Sequence, residues 1–391
     1  MEIKSLLIEG CNYSDYPLGG QLTFAKQMVK AFGGRIALVG ISTDNTPVGE
    51  WVDRDFKGAR CKFFSFAKRR PVSGRPIVPA RIAVYKELRK YREKILSLGV
   101  KNVFVQAPEV MLCISKWPWE RLCYRFAGVE NPLSMSRYPG AGLFSRVFES
   151  RLFHALRRAD VILATADRPA IEEMLRRSNG RLQADKIVQF STRVNTSVFF
   201  PFDKAHARNS LKVPLNSTVI VTSGRINRGK DWELIVDAFK VFTAARPDSY
   251  LFFVGDGEDR DKLQEKIDSS ALGDRVVITG YKSHDDVATY LNAADLFVFG
   301  SYKEGWPTAL IEALACNKPI VTTDVSGAKA IVREGENGFV TDSREPWAFA
   351  DAMRQAITLE HVENCSRSEL SKYSLENMAS DMERAWPPLK I

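Results

Sequence analysis

The chain has 391 residues, of which 45% are hydrophobic and 26% charged, and its formal net charge is +9. That composition excludes disordered and fibrous chains, and the length suffices for two cores of ordinary size. No apolar run approaches the ~20 residues of a membrane span, and the first residues carry acids where a signal peptide would be basic and then greasy, so we expect a chain that is neither exported nor membrane-spanning.

Along the first half, apolar runs of strand length alternate with helix-period segments, which predicts parallel sheets wrapped by helices. Strands are expected at residues 5–9, 35–41, 103–106, 124–129, 161–164 and 187–190. After the first strand, Gly19 and Gly20 open the helical pattern 22–32. Paired glycines at a helix start let a phosphate approach the backbone N–H groups at the positive end of the helix dipole, though a plain turn also accounts for them. Cys11, Cys61, Cys113, Cys123, Cys316 and Cys365 form no C-x-x-C pair and the four histidines are scattered, which speaks against zinc or disulfide frameworks and for a reducing cytosol. His154 reads as a packing histidine on an apolar helix.

Charge is uneven. Residues 1–200 hold 33 Lys and Arg against 18 Asp and Glu, and residues 201–391 hold 23 against 29, giving +15 and −6. Most of the excess lies in residues 54–101, including Lys68, Arg69, Arg70, Arg75, Arg81 and Lys86. That stretch reads either as a solvated basic helix face or as a surface for anionic lipid, a phosphorylated acceptor or nucleic acid. Residues 194–202 break the periodicity and read as a linker with a domain boundary near 198.

In the second half, strands are expected at 219–224, 251–254, 276–279, 296–299 and 319–322, with helices such as 232–245 and 285–293, as in successive βα units. Open parallel sheets bind ligands beyond the carboxyl ends of their strands, so the residues after each strand matter. After 219–224 come Arg225 and Lys230, two cations able to neutralise a leaving diphosphate, and Asp231, a candidate N-cap for the next helix. A solvated surface loop is the plainer alternative. G-x-G-x-x-G and P-loop patterns are absent, and Gly255 and Gly257 flank an acid where a pyrophosphate would sit.

The stretch 296–319 is the most informative. Glu304, Gly305 and Trp306 form a loop, Pro307 suits a first helical turn, and Asn317 with Pro319 ends the helix. Glu312 is the lone ionisable group among Ala, Leu and Ile. Burying an unpaired carboxylate costs several kcal/mol, so Glu312 needs a partner such as the vicinal hydroxyls of a ribose. Glu304 would reach sugar hydroxyls, and the N–H groups of Gly305, Trp306, Thr308 and Ala309 would hold phosphates. The competing account makes Glu304 a surface acid and pairs Glu312 with a structural arginine.

These residues resemble the retaining GT-B glycosyltransferases of family 4. The resemblance rests on Ser223 to Arg225 with Lys230, on residues 253–257, on Gly280 with Tyr281 and Lys282, and on Glu304 to Glu312, which is similar to the E-x7-E signature. Residues 334–340 and 373–378 add to it. It implies an α/β fold with two Rossmann-like parallel-sheet domains facing a central cleft: 1–198 on the acceptor side, 199–375 binding the donor, and a terminal helix, 376–391, crossing back to the first domain. It implies a nucleotide-sugar donor, a saccharide or lipid-linked saccharide acceptor, and no metal or other cofactor. Arg225 and Lys230 would hold the diphosphate, Glu312 the ribose, Glu304 the sugar, and Tyr281 and Lys282 the base through backbone. Where the family often has a first-domain histidine, this chain offers Glu130 or Asn131. Where the family has a glutamate after a glycine-rich turn, it has Ala330.

A nucleotide-sugar 2-epimerase would keep the fold but call for several acids or histidines in the cleft. A basic nucleic-acid binder with an inactive sugar site is the alternative of another class, but residues 54–101 lack interleaved aromatics and known motifs, so no nucleic-acid partner is expected. The expected location is cytoplasmic, with a peripheral position on the cytosolic membrane face suggested by the basic segment.

Overall fold

The apolar runs of the first half fold into one eight-stranded sheet. The computed structural model describes residues 2–17, 20–56, 58–69, 80–129, 131 and 141–389. Its strands are β1 (Ser5–Ile8), β2 (Ile36–Ser42), β3 (Trp51–Phe56), β4 (Ala59–Lys68), β5 (Asn102–Val105), β6 (Arg121–Phe126), β7 (Val161–Ala164) and β8 (Ile187–Gln189), in the spatial order β3-β4-β2-β1-β5-β6-β7-β8. All four residues of β1 and all seven of β2 are buried, as expected of strands covered on both faces.

One stretch differs from expectation. Residues 51–68, where no strand was expected, are a β-hairpin, and β3 pairs with β4 antiparallel at the edge of an otherwise parallel sheet. The charges that disguise this hairpin are matched across it. Asp53 sits opposite Lys62 and accepts from its Nζ at 3.1 Å, and the Arg54 guanidinium lies 5.0 and 5.4 Å from the ring centres of Phe56 and Phe63. His154 is also misread, because its side chain is exposed while its neighbours Leu152 and Phe153 make the buried contacts of that helix.

The second half forms a separate sheet of β9 (Thr218–Ser223), β10 (Ser249–Val254), β11 (Val276–Ile278), β12 (Leu296–Phe299), β13 (Ile320–Thr323) and β14 (Gly338–Thr341). Its order is β11-β10-β9-β12-β13-β14 and every pair is parallel. Side chains alternate between two cores: Val219 and Val221 pack on one face of β9, and Ile220 packs on the other with Phe239 and Phe242. The chain runs outward in one direction from β9 and in the other from β12. The carboxyl ends of this adjacent pair are therefore the topological switch point, where open α/β sheets bind ligands.

The chain divides into two compact units, residues 1–191 with 378–391, and residues 192–377. The division falls upstream of the boundary read at 198. Val194 is already tied to the second unit, donating to Tyr373 O at 2.8 Å and accepting from Leu375 N at 2.9 Å. The closing helix Met378–Ala385 belongs to the first unit, where Glu383 meets Arg35 at 2.7 Å and Trp386 packs near Phe104. Among the described residues no helix is long and apolar enough to cross a membrane.

Candidate active site

The site is built from the loops that follow β9 and β12. The first loop turns sharply at Gly224, whose φ is +134°, and lies directly on the loop after β10. A Cβ on Gly255 would stand 1.9 Å from Gly224 O, and one on Gly257 would stand 2.1 Å from Ile226 O. The two glycines thus allow close backbone approach, sealed by Ile226 N donating to Asp256 O at 2.9 Å. This packing places Arg225 and Lys230 beyond the strand end. Ser223, Gly224, Arg225, Lys230, Phe299 and Gly300 line a small recess there.

Arg225 is largely exposed and, among the described residues, makes only a 3.4 Å ion pair with Glu258. Lys230 is drawn inward, with its ammonium 5.0 Å from the centre of the Phe299 ring and paired with the Glu304 carboxylate. Glu304, 18% exposed, also accepts from Ser301 Oγ at 2.7 Å. Ser301 contributes to the site although the sequence did not single it out; its position three residues before Glu304 in a loop was the available signal.

The helix Thr308–Ala315 follows. Pro307 sits just before its first residue rather than within the first turn. Asn317 ends the segment with φ +54°, as the Asn-x-Pro punctuation predicts. On this helix Leu310, Ile311, Ala313, Leu314 and Ala315 are buried, while Thr308, Ala309 and Glu312 form a half-buried face. The Glu312 carboxylate has no hydrogen bond or ion pair with any described residue, and burial pushes its pKa up to about 7. Among the described residues no arginine pairs with it. The indole Nε1 of Trp306 and the Ser223 hydroxyl are buried without a hydrogen-bond partner among the described residues.

Asp231 occupies the expected N-cap position of the helix Trp232–Thr243, but its side chain makes no capping hydrogen bond. The residue has φ +45°, and its carboxylate is taken instead by Arg344 at 2.6 Å. Arg344 follows β14 and also donates to Gly300 O at 3.1 Å and Ser301 O at 2.8 Å, with its guanidinium 4.0 Å from the centre of the Tyr302 ring. Nothing local in the sequence marks it.

Tyr281 is 82% exposed beyond the end of β11, next to half-buried Lys282. Gly20 and Asn131 belong to the first unit. Gly20 is the first residue of the helix Gly20–Phe32, and Asn131 Nδ2 donates to Ser145 O at 3.1 Å. Gly19 and Glu130 lie outside the described residues, as do Arg70 and Arg75. Among the described residues no group of three or more His, Cys, Asp or Glu could hold a metal ion, and the cysteines are all free and buried. Ala330 is exposed on a short helix after Gly327, so no carboxylate stands at that position.

Residues 203–375 match the family model described as Glycosyl transferases group 1. The chain is 28% identical over 252 residues to the lipopolysaccharide core biosynthesis glycosyltransferase LpsE of Rhizobium meliloti (strain 1021), covering 64% of this chain and 68% of that protein. It is 27% identical to the alpha-D-kanosaminyltransferase of Streptomyces kanamyceticus, covering 57% of this chain but only 58% of that protein. In fold it is similar over 98% of both chains to sucrose-phosphate synthase from Thermosynechococcus elongatus, with TM-score 0.75 at 20% identity. It is similar over 99% of its length, and 100% of the other chain, to Anabaena HepE in complex with UDP and glucose, with TM-score 0.71 at 18% identity. The chain is a glycosyltransferase enzyme with two parallel-sheet domains of the GT-B fold, and its match to the glycosyl transferases of group 1 spans residues 203–375.

Proposed function

We propose that this enzyme is a retaining, family-4-type transferase that moves a hexose from a UDP- or GDP-sugar to a saccharide hydroxyl, with Glu304 and Glu312 as its E-x7-E pair. The observation that carries the reading is Glu312, a half-buried carboxylate with no partner among the described residues, on the helix that starts at the sheet's switch point. Vicinal ribose hydroxyls supply the two donors it lacks. Arg225 and Lys230 face the diphosphate, the first turn of the helix Thr308–Ala315 offers it N–H groups, and the backbone of Tyr281 and Lys282 meets the base.

In the reaction, the acceptor oxygen attacks the anomeric carbon on the face from which the diphosphate leaves. The bond from that carbon to the phosphate oxygen breaks, the glycosidic bond forms, and the hydroxyl proton passes to the departing phosphate oxygen. The protein's part is to hold charge: the two cations stabilise the diphosphate as it leaves. Neither a carboxylate nucleophile nor a metal cofactor is required. HepE was crystallised with UDP and glucose, which supports a UDP-sugar donor; LpsE is named for lipopolysaccharide core biosynthesis, which supports a lipid-linked saccharide acceptor.

Such an acceptor is presented at a membrane on the cytosolic side, and the first unit has a surface suited to it. Lys86, Arg89 and Lys90 are exposed on the helix Ala80–Lys90 and lie beside a groove bounded by Ile82, Leu112 and Phe148. Ile82 on that helix, Val147 on the helix Ser145–Leu156, and Leu143 and Phe144 in the turn Ala141–Phe144 are exposed apolar side chains.

Retention is tested by incubating the enzyme with UDP-glucose and with GDP-mannose, both α-linked, and following released sugar by proton NMR. The α-anomer appearing first is the expected result; the β-anomer appearing first would contradict it.

A further inference from the structure

Three strand-to-helix loops of the second unit meet at one side chain. Arg344, in the loop after β14, donates to Asp231 Oδ2 at 2.6 Å, to Gly300 O at 3.1 Å and to Ser301 O at 2.8 Å. Asp231 directly follows Lys230. Ser301 hydrogen-bonds Glu304, so each arm of the guanidinium ends on a neighbour of a residue assigned to donor binding. The Tyr302 ring stacks on the same guanidinium at 4.0 Å, and Tyr302 N donates to Gly229 O at 2.9 Å, joining the two loops a second time. Thr323 Oγ1 also reaches Ser301 O, at 2.7 Å.

The local backbone needs such a fastener. Asp231 is held at φ +45°, in the left-handed region that is costly for a residue with a Cβ. Gly300 packs against it closely enough that a Cβ there would lie 3.0 Å from Asp231 O. Nothing in the helix Trp232–Thr243 takes up the Asp231 carboxylate, which is 8% exposed; Arg344 is its ion-pair partner. A lysine would keep the charge but has one ammonium in place of a planar fork, so it cannot hold the carboxylate and two carbonyls together.

We propose that Arg344 is a positioning residue of the donor site, setting the Lys230–Glu304 pair through Asp231 and Ser301. This rests on the reading of Lys230 and Glu304 as donor-binding groups. Arg344 makes no contact with the sugar or the diphosphate; it fixes the loops whose side chains do.

The test is calorimetric titration of UDP, GDP, UDP-glucose and GDP-mannose into wild type, Arg344→Ala, Arg344→Lys, Glu304→Gln and the Arg344→Ala/Glu304→Gln double variant, with thermal melting of each. Wild type binds one nucleotide family; if it binds none of the four, the donor-site reading fails before Arg344 is at issue. Arg344→Ala is expected to weaken nucleotide-sugar binding at least tenfold, with Arg344→Lys restoring little of it. The double variant is expected to bind no more weakly than the weaker single variant, because both remove one coupled unit. Wild-type affinity in folded Arg344→Ala, or losses that multiply in the double variant, would overturn the assignment, leaving Arg344 a fold-stabilising residue only.

Discussion

Lys230 and Glu304 pair across two loops that leave the adjacent strands β9 and β12, at the point where the strand order reverses. Each keeps the other's charge compensated, and the Ser301 hydroxyl holds Glu304 in place at 2.7 Å. In the proposed donor site, a diphosphate entering the recess would meet a lysine that is already oriented.

Replacing Lys230 by alanine should therefore weaken UDP or GDP binding by roughly 10- to 100-fold, the range for losing a charge-assisted hydrogen bond of about 1.5–3 kcal/mol. Binding of the corresponding nucleoside should hardly change. Titration of both ligands separates the two effects, and equal losses for nucleoside and diphosphate would contradict a phosphate role.

Glu312 makes a pH-dependent prediction. Burial raises its pKa from 4.5 to about 7. The protonated carboxyl is thus favoured in the folded protein, and the stability it contributes is complete below pH 4.5 and is lost as pH rises through 7. The loss amounts to at most about 3 kcal/mol. Thermal melts of wild type and Glu312→Gln should diverge between these pH values, the variant being the less pH-sensitive. Nucleotide binding has the opposite sense: ribose hydroxyls donate to the ionised carboxylate, so affinity rises with pH from about 5.5 to 8 and binding near neutral pH releases a proton. Calorimetry in buffers of different ionisation enthalpy reads that proton, and its persistence in Glu312→Gln would exclude Glu312 as the source.

Gly255→Ala tests the loop packing. The added methyl would stand 1.9 Å from Gly224 O, so the loop that presents Arg225 must move. The expected cost is about 2 kcal/mol or more, with a parallel loss of nucleotide affinity. A variant with wild-type melting temperature and affinity would show the contact to be soft.

For the membrane surface, the informative residues are Lys86, Arg89 and Lys90, because Arg69 is already paired with Glu87 at 2.6 Å and Lys68 donates to Asn45. Converting the three to serine should abolish sedimentation with vesicles containing phosphatidylserine at low salt, each charge being worth about 1 kcal/mol near such a surface. Unchanged sedimentation would remove this helix from the account.

Much of this architecture could be read from the sequence because buried parallel strands are continuous apolar runs; Val161–Ala164 and Leu296–Phe299 were found to the residue. The β3–β4 hairpin escaped because Arg54, Lys62 and their partners give it a polar appearance, and its pairing is visible only when Asp53 and Lys62 face each other across the strands. Glu312 stood out because a charge in an apolar helix is locally anomalous. Arg344 did not, because its partners Asp231, Gly300 and Ser301 lie far from it in sequence and are brought to it only by folding. Asp231 stands at the expected N-cap position, but the distant Arg344 takes its carboxylate, a pairing that only the fold brings about.

Whether Glu312 and its neighbours bind the nucleotide of a sugar donor is decided by calorimetric titration of UDP, GDP, their sugar conjugates, NAD and a short RNA into wild type and Glu312→Ala. Binding of one nucleotide family, weakened at least tenfold in the variant, is expected; RNA binding alone, or nucleotide binding indifferent to Glu312, would rule the assignment out.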